Sequence, residues 1–149
     1  MRISKSFSID AAHILALPYK SKCNHIHGHT YTIDVVLDGP LNPEGMVLDY
    51  NEIPSDIINE ADHKLIIPAR YTRRIQTGRW LVDMKNANGI IQIEVPETFL
   101  YVIQQPQSTS EYLAEHFFNK LIAGGLPVYS VMVSETPKTK AVYYGKEVT

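Results

Sequence analysis

At 149 residues, with a formal charge of −2 and one cysteine, the chain is sized for a single domain that needs no disulfide staple. No long basic run favours nucleic acid, no stretch approaches the ~20 apolar residues of a membrane span, and a lone cysteine fits a reducing compartment. The start, Met1 to Ser6, lacks the apolar run of a signal peptide, so the expectation is a soluble cytoplasmic protein forming one domain over residues 1–149.

Residues 2–13 alternate, with Ile3, Phe7, Ile9 and Ala11 on one parity and Ser4, Ser6, Ser8 and Asp10 on the other. This is the period of a half-buried strand. A second strand over roughly 24–38 is rich in β-branched residues and pairs antiparallel with the first. Pro54 suits a first helical turn, and Ile53, Ile57, Ile58 and Ala61 mark one helical face that ends near Asp62-His63. Residues 70–95 read as a hairpin, Arg79–Met84 and Ile90–Val95, around the turn signal Asn88-Gly89. Phe99–Gln105 reads as a short strand. Ser108 with Glu111 three residues on has the capping-box pattern. The helix that follows carries the stripe Leu113, Phe117 and Leu121 and stops at Gly124-Gly125. Residues 128–135 alternate as a strand, and Ala141–Tyr144 returns after a turn. Runs of strands with few helices predict an α+β fold on an antiparallel sheet.

The stretch Cys23-Asn24-His25-Ile26-His27-Gly28-His29 sets the cysteine and three of the six histidines at every second position. On a strand, His27 and His29 stand about 6–7 Å apart on one face, so both imidazoles can lean onto one divalent cation. Gly28 between them leaves the backbone approachable. His13, at the end of the first strand on the apolar parity, supplies a third ring. Three neutral imidazoles with an open fourth position describe a catalytic zinc site. His25 shares the parity, but a fourth nitrogen would close the site, so it is read as a neighbour. Cys23 is open to four readings: ligand, nucleophile, base or small buried residue. A thiol beside a cation carries more thiolate, but on an extended strand Cys23 lies roughly 13 Å from His27, which argues against shared ligation unless the chain folds back. Asp62-His63 reads either as an acid–base relay in which the carboxylate fixes the tautomer or as a helix C-terminus where the dipole favours histidine. Glu135 has the apolar parity of its strand and therefore needs a partner. A salt bridge would serve, and so would a planar ring offering an amino group and an adjacent N–H. Thr109 and Glu111 have a sufficient reading as cap residues. Arg70, Arg73, Arg74, Arg79 and Lys85 read as a solvated face or as an attractor for a phosphorylated ligand.

Together these pieces resemble the 6-pyruvoyl-tetrahydropterin synthase and 6-carboxy-tetrahydropterin synthase family. Phe7 to His13 is similar to its first strand and first zinc ligand, Cys23 to His29 to its C-x-x-x-H-G-H motif, and Gly45 to Tyr50 to the segment before its first helix. Asp62-His63 falls at its catalytic pair, Ser108 to Glu111 at its P-T-[AS]-E segment, and Ser134-Glu135-Thr136 at the strand of its pterin-anchoring glutamate. The resemblance implies the T-fold (tunnelling fold), a four-stranded antiparallel sheet with two helices on one face, here with an inserted β-hairpin. It implies rings of three subunits, usually stacked as a homohexamer, with active sites between subunits. It also implies Zn2+ on His13, His27 and His29, Cys23, Asp62 and His63 as catalytic residues, and Glu135 and Thr109 as substrate-binding residues. The implied activity is that of a lyase, 6-carboxy-5,6,7,8-tetrahydropterin synthase. It converts 7,8-dihydroneopterin triphosphate with release of acetaldehyde and triphosphate, on the route to queuosine. The alternatives are 6-pyruvoyl-tetrahydropterin synthase, which eliminates triphosphate and keeps the side chain, and a non-catalytic zinc- or pterin-binding oligomer. The three-residue gap between Cys23 and His27 leans toward the carboxy branch. A metal-dependent hydrolase would need a general base beside a zinc-bound water, and the sequence singles none out. The chain departs from the family at Lys64 to Ile67, in the length of residues 66–107, and at Ser108, where a proline is usual.

Overall fold

The computed structural model describes residues 1–145, so residues 146–149 of the single domain expected from the sequence lie outside the described residues. The first two strands, β1 (Arg2–His13) and β2 (His27–Asp38), form the antiparallel pair that their alternation predicts. Their shared apolar face buries Phe7, Ile9, Tyr31, Ile33, Val35 and Leu37, and a slip of one residue would turn that whole set to solvent. The next elements are α1 (Asp56–Asn59), β3 (Leu65–Pro68), β4 (Thr72–Gln76), β5 (Arg79–Asn86), β6 (Gly89–Pro96) and β7 (Leu100–Ile103). They are followed by α2 (Ser110–Ala123), β8 (Val128–Thr136) and β9 (Thr139–Tyr144).

The sheet has six strands in the order β7-β3-β1-β2-β8-β9. The expected four antiparallel strands are its β1-β2-β8-β9 portion. Two short parallel strands, β3 and β7, extend it where β3 pairs with Ala12 and His13. The inserted hairpin is larger than expected, a separate three-stranded antiparallel sheet in the order β4-β5-β6. It is stable there because it has a core of its own: Val82 and Met84 pack with Ile14, Ile67 and Leu100.

Both helices cover one face of the main sheet. α2 buries Leu113, Ala114, Phe117, Phe118 and Leu121 against it, at roughly 1.5–3 kcal/mol for each large side chain. Its N-cap is Thr109, whose side chain accepts from the Tyr112 N–H. The capping box expected on Ser108 is not formed, because Ser108 is fully buried and its hydroxyl donates to the Ile14 carbonyl. The first helix is much shorter than its apolar stripe predicts. Ile53, Ile58 and Ala61 are buried as expected, but after Asn59 the chain tightens into turns, with Ala61 N–H on the Ile58 carbonyl and Asp62 N–H on the Asn59 carbonyl.

Candidate metal centre and its surroundings

The β1–β2 register sets His13 opposite His27 and Ala11 opposite His29. A small residue beside His29 leaves room for three rings at one end of the apolar face. Gly28 lies opposite Ala12, and a Cβ there would stand 3.3 Å from the Ala11 carbonyl oxygen, a tight contact, so close approach of the two backbones favours glycine. One ring nitrogen from each of His13, His27 and His29 lies within 4.8 Å of the others.

Hydrogen bonds fix which nitrogens face inward. His13 Nδ1 donates to the Ser108 carbonyl at 2.7 Å and His27 Nδ1 donates to the His25 carbonyl at 2.7 Å. A carbonyl only accepts, so both rings carry a proton on Nδ1 and turn Nε2 inward, the atom that a neutral ring offers to a metal. Those two Nε2 atoms stand 2.9 Å apart. Nε2 of His29 is buried without a partner among the described residues. Three convergent lone pairs repel one another unless a cation lies between them. Bonds of ~2.0–2.1 Å to a tetrahedral zinc would set the nitrogens about 3.3 Å apart, a value between the 2.9 Å of the first pair and the 4.8 Å that bounds all three. Burial lowers the His13 pKa to about 4, reinforced by the neighbouring His27 and His29 and opposed by the Ser108 carbonyl. Burial also lowers that of His29, against the pull of Glu135. Both are therefore neutral near pH 7, the form that binds metals.

Glu135 joins this group. It sits where the β8–β9 register shifts between Ser134 and Thr136, and a bulge of this kind re-aims a side chain. Its Oε1 lies 3.9 Å from His13 Nε2. Because His13 is neutral, the contact is not an ion pair, and the carboxylate retains acceptor capacity at the edge of the triad. Tyr31, on the same strand face as His27 and His29, was not singled out by the sequence, although its parity carried the signal. Its ring centroid is 5.4 Å from that of His29. Its hydroxyl is buried without a partner among the described residues, and burial first, then Glu135, raises its pKa.

Cys23 is placed differently from the extended-strand expectation. β2 begins at His27, and Lys22–Asn24 forms a single 3-10 turn. The parity argument therefore does not apply to Cys23 or His25. Cys23 is half-buried and free and is not among the converging ligands. His25 is a neighbour, as expected, since its carbonyl orients His27.

Asp62 and His63 form the expected couple. His63 Nδ1 donates to Asp62 Oδ2 at 2.9 Å, and the other carboxylate oxygen accepts from the Asp10 N–H at 2.8 Å. The Asp10 N–H, then His63, holds the Asp62 pKa low, while Asp62 raises that of His63. His63 has φ +59, a left-handed backbone uncommon outside glycine, of the kind found at functional sites. Neither residue is among the three converging ligands. His63 instead lines a cleft of about 740 Å³ whose wall includes Asp10, Ala12 and Thr30. These residues have the parity opposite to the core face. The lining also includes Gly28 and His29, so the cleft runs from His63 to one member of the triad. Thr109 is half-buried at the start of α2, directly after the Ser108 carbonyl that orients His13.

A T-fold subunit with three imidazoles gathered at the ends of its first two strands, able to hold a metal ion, is the class of protein these features define. The chain belongs to the family described as 6-pyruvoyl tetrahydropterin synthase, whose sequence profile matches residues 2–146. A Pyrococcus horikoshii protein with a provisional assignment as 6-carboxy-5,6,7,8-tetrahydropterin synthase is 35% identical over 135 residues, covering 89% of this chain and 82% of its own. The Haemophilus influenzae 6-carboxy-5,6,7,8-tetrahydropterin synthase is 30% identical over 151 residues, with 95% and 97% covered. Among solved structures, 6-pyruvoyl tetrahydropterin synthase of Plasmodium falciparum superposes with a TM-score of 0.73 at 21% identity, covering 96% of each chain.

Proposed function

We propose that this chain, a member of a pterin-processing enzyme family, is a zinc-dependent 6-carboxy-5,6,7,8-tetrahydropterin synthase. Its substrate would be 7,8-dihydroneopterin triphosphate, with acetaldehyde and triphosphate released, on the route toward queuosine. The observation that carries the metal reading is the convergence of one ring nitrogen from each of three histidines, two of the rings oriented by carbonyls on their far side. A zinc ion on His13, His27 and His29 would supply Lewis acidity toward the hydroxyls of the substrate side chain. Cys23 as thiolate would move the proton on that side chain. Asp62 and His63 would be the second acid–base unit, with the proton exchanged at Nε2 because Nδ1 is committed to Asp62. Glu135 would accept from the pterin's amino group and adjacent ring N–H, and Thr109 would be a second substrate-binding residue.

The family resemblance favours active sites shared between subunits of a trimer or a dimer of trimers. Open sheet edges support such an assembly: β9 is terminal, and among the described residues β1 gains a second strand partner only at Ala12 and His13. Ring closure would remove both edges. The work would be done in the cytoplasm, in keeping with a helix set in which none of the described helices is long and apolar enough to cross a membrane.

Incubation of the zinc-loaded protein with 7,8-dihydroneopterin triphosphate tests the proposal. Acetaldehyde and a 6-carboxy product are expected. A retained three-carbon side chain would instead establish the 6-pyruvoyl reaction, and zinc uptake without turnover would mean a binding protein.

A further inference from the structure

The tip of the inserted sheet grips the loop that carries Cys23. Seven hydrogen bonds join the β5–β6 turn to residues 15–25, across 62 to 71 positions of sequence. The side-chain amide of Asn88 uses its full capacity. Its oxygen accepts from the Ser21 N–H at 3.2 Å and from Asn24 Nδ2 at 2.9 Å. Its nitrogen donates to the Ser21 carbonyl at 3.1 Å and to His25 Nε2 at 2.9 Å. An amide offers two donors and two acceptor positions, so none is left over. Asn86 Nδ2 donates to the Asn24 carbonyl at 2.9 Å and to the Leu15 carbonyl at 3.0 Å, while its oxygen accepts from the Asn88 N–H at 2.9 Å. Ala87 N–H donates to the Leu17 carbonyl at 3.1 Å.

The bonds bracket Cys23. Ser21 is held two residues before it and Asn24 one residue after it. The Cys23 carbonyl itself accepts from Leu15 N–H at 2.9 Å. His25, held by Asn88, presents the carbonyl that orients His27. The inserted sheet does not need these bonds to fold, since Val82 and Met84 already anchor it in a core. Asn88 is exposed, where its side chain would otherwise be solvated.

We infer that Asn86 and Asn88 are positioning residues: through them the inserted sheet fixes the Cys23 loop at a set place relative to the three histidines. This rests on the proposed role of Cys23 as the proton-moving thiolate. Without the clamp, a short loop containing one 3-10 turn would sample alternatives, and the thiol would reach the substrate's side chain only part of the time.

The test uses the only cysteine of the chain as its own reporter. In Asn88→Ala, alkylation of Cys23 by iodoacetamide at one pH should quicken by about threefold or more, because the half-buried thiol gains access as the loop opens locally. Turnover should show kcat down ~10–100-fold, the range for lost outer-shell support, with KM and zinc content near those of the parent. Asn88→Asp keeps the shape but cannot donate to the Ser21 carbonyl or His25. It should move both readouts in the same direction by less, and it serves if the alanine variant does not fold. Parent-like alkylation in the folded variants overturns the clamp. Alkylation needs no substrate, so a catalytically irrelevant thiol, revealed by full turnover in Cys23→Ala, would defeat the proposed mechanism while leaving the alkylation result to decide the clamp.

Discussion

Tyr31→Phe separates a site held ready for a ligand from an ordinary core. The Tyr31 side chain is 1% exposed, and its hydroxyl has no partner among the described residues. A buried hydroxyl without a partner costs about 1–3 kcal/mol of desolvation, and an apolar replacement of the same shape leaves no cavity. In the metal-free protein, Tyr31→Phe should therefore gain about 1–3 kcal/mol. At roughly 2–4 °C per kcal/mol for a chain of this size, Tm should rise by about 3–10 °C in a calorimetric scan. The same substitution should lower kcat/KM by about 2–10-fold if the hydroxyl donates to substrate or to a bound water, the worth of one such bond. Addition of zinc and a pterin ligand should narrow the stability gain, since the parent's hydroxyl then acquires a partner. A fall in Tm of the metal-free variant would refute the reasoning, for it would mean that the hydroxyl is already paired.

Cys23→Ala should keep zinc content and assembly and abolish turnover, read by metal analysis, light scattering and product detection. His27→Ala should bind zinc far below one equivalent per chain, because two imidazoles cannot replace three; full zinc occupancy would refute the triad. Glu135→Gln should raise KM by about 10-fold or more through loss of a charge-assisted bond, with zinc binding retained, as checked by steady-state kinetics. His116 predicts acid sensitivity. Burial, then Lys120, lowers its pKa to about 4 from 6.5, and it is held neutral between Gln105 and the Tyr101 hydroxyl. The unfolded chain takes the proton first as pH falls, so this contribution is present above pH 6.5 and is lost on descent toward pH 4, with a ceiling of ~3 kcal/mol. Urea titrations of His116→Gln over that window should show a shallower slope than the parent, with the remainder from His13, which titrates in the same window in the metal-free protein.

Alternation along residues 2–13 and the β-branched run within roughly 24–38 were enough to predict two strands, their antiparallel pairing and a shared face for His13, His27 and His29, although the second strand begins only at His27. Burial of a single face fixes register, and register fixes which side chains meet. The second helix was equally legible, because its apolar stripe and glycine stop are local signals. The sequence did not reveal that Cys23 leaves the strand for a 3-10 turn, since that turn is held by Asn86 and Asn88 from more than sixty positions away. It overestimated the first helix, whose stripe is buried as predicted even though its last turn gives way to the left-handed His63. Phe99–Gln105 was legible as the short strand β7, but its parallel partner β3 and the third strand of the inserted sheet lay beyond the sequence, because short apolar runs acquire a conformation only from the neighbours they pair with.

The gathering of His13, His27 and His29 was thus written locally, in residues whose spacing matches the period of a strand. Only the tertiary structure decided the rest: which nitrogen of His13 and of His27 faces inward, since that depends on carbonyls supplied by Ser108 and His25; that Asp62 holds both His63 and the Asp10 N–H; and what holds the thiol loop. A strand's period is a property of its own backbone, whereas a tautomer, a partition between faces and a clamp depend on contacts that distant segments make only after folding.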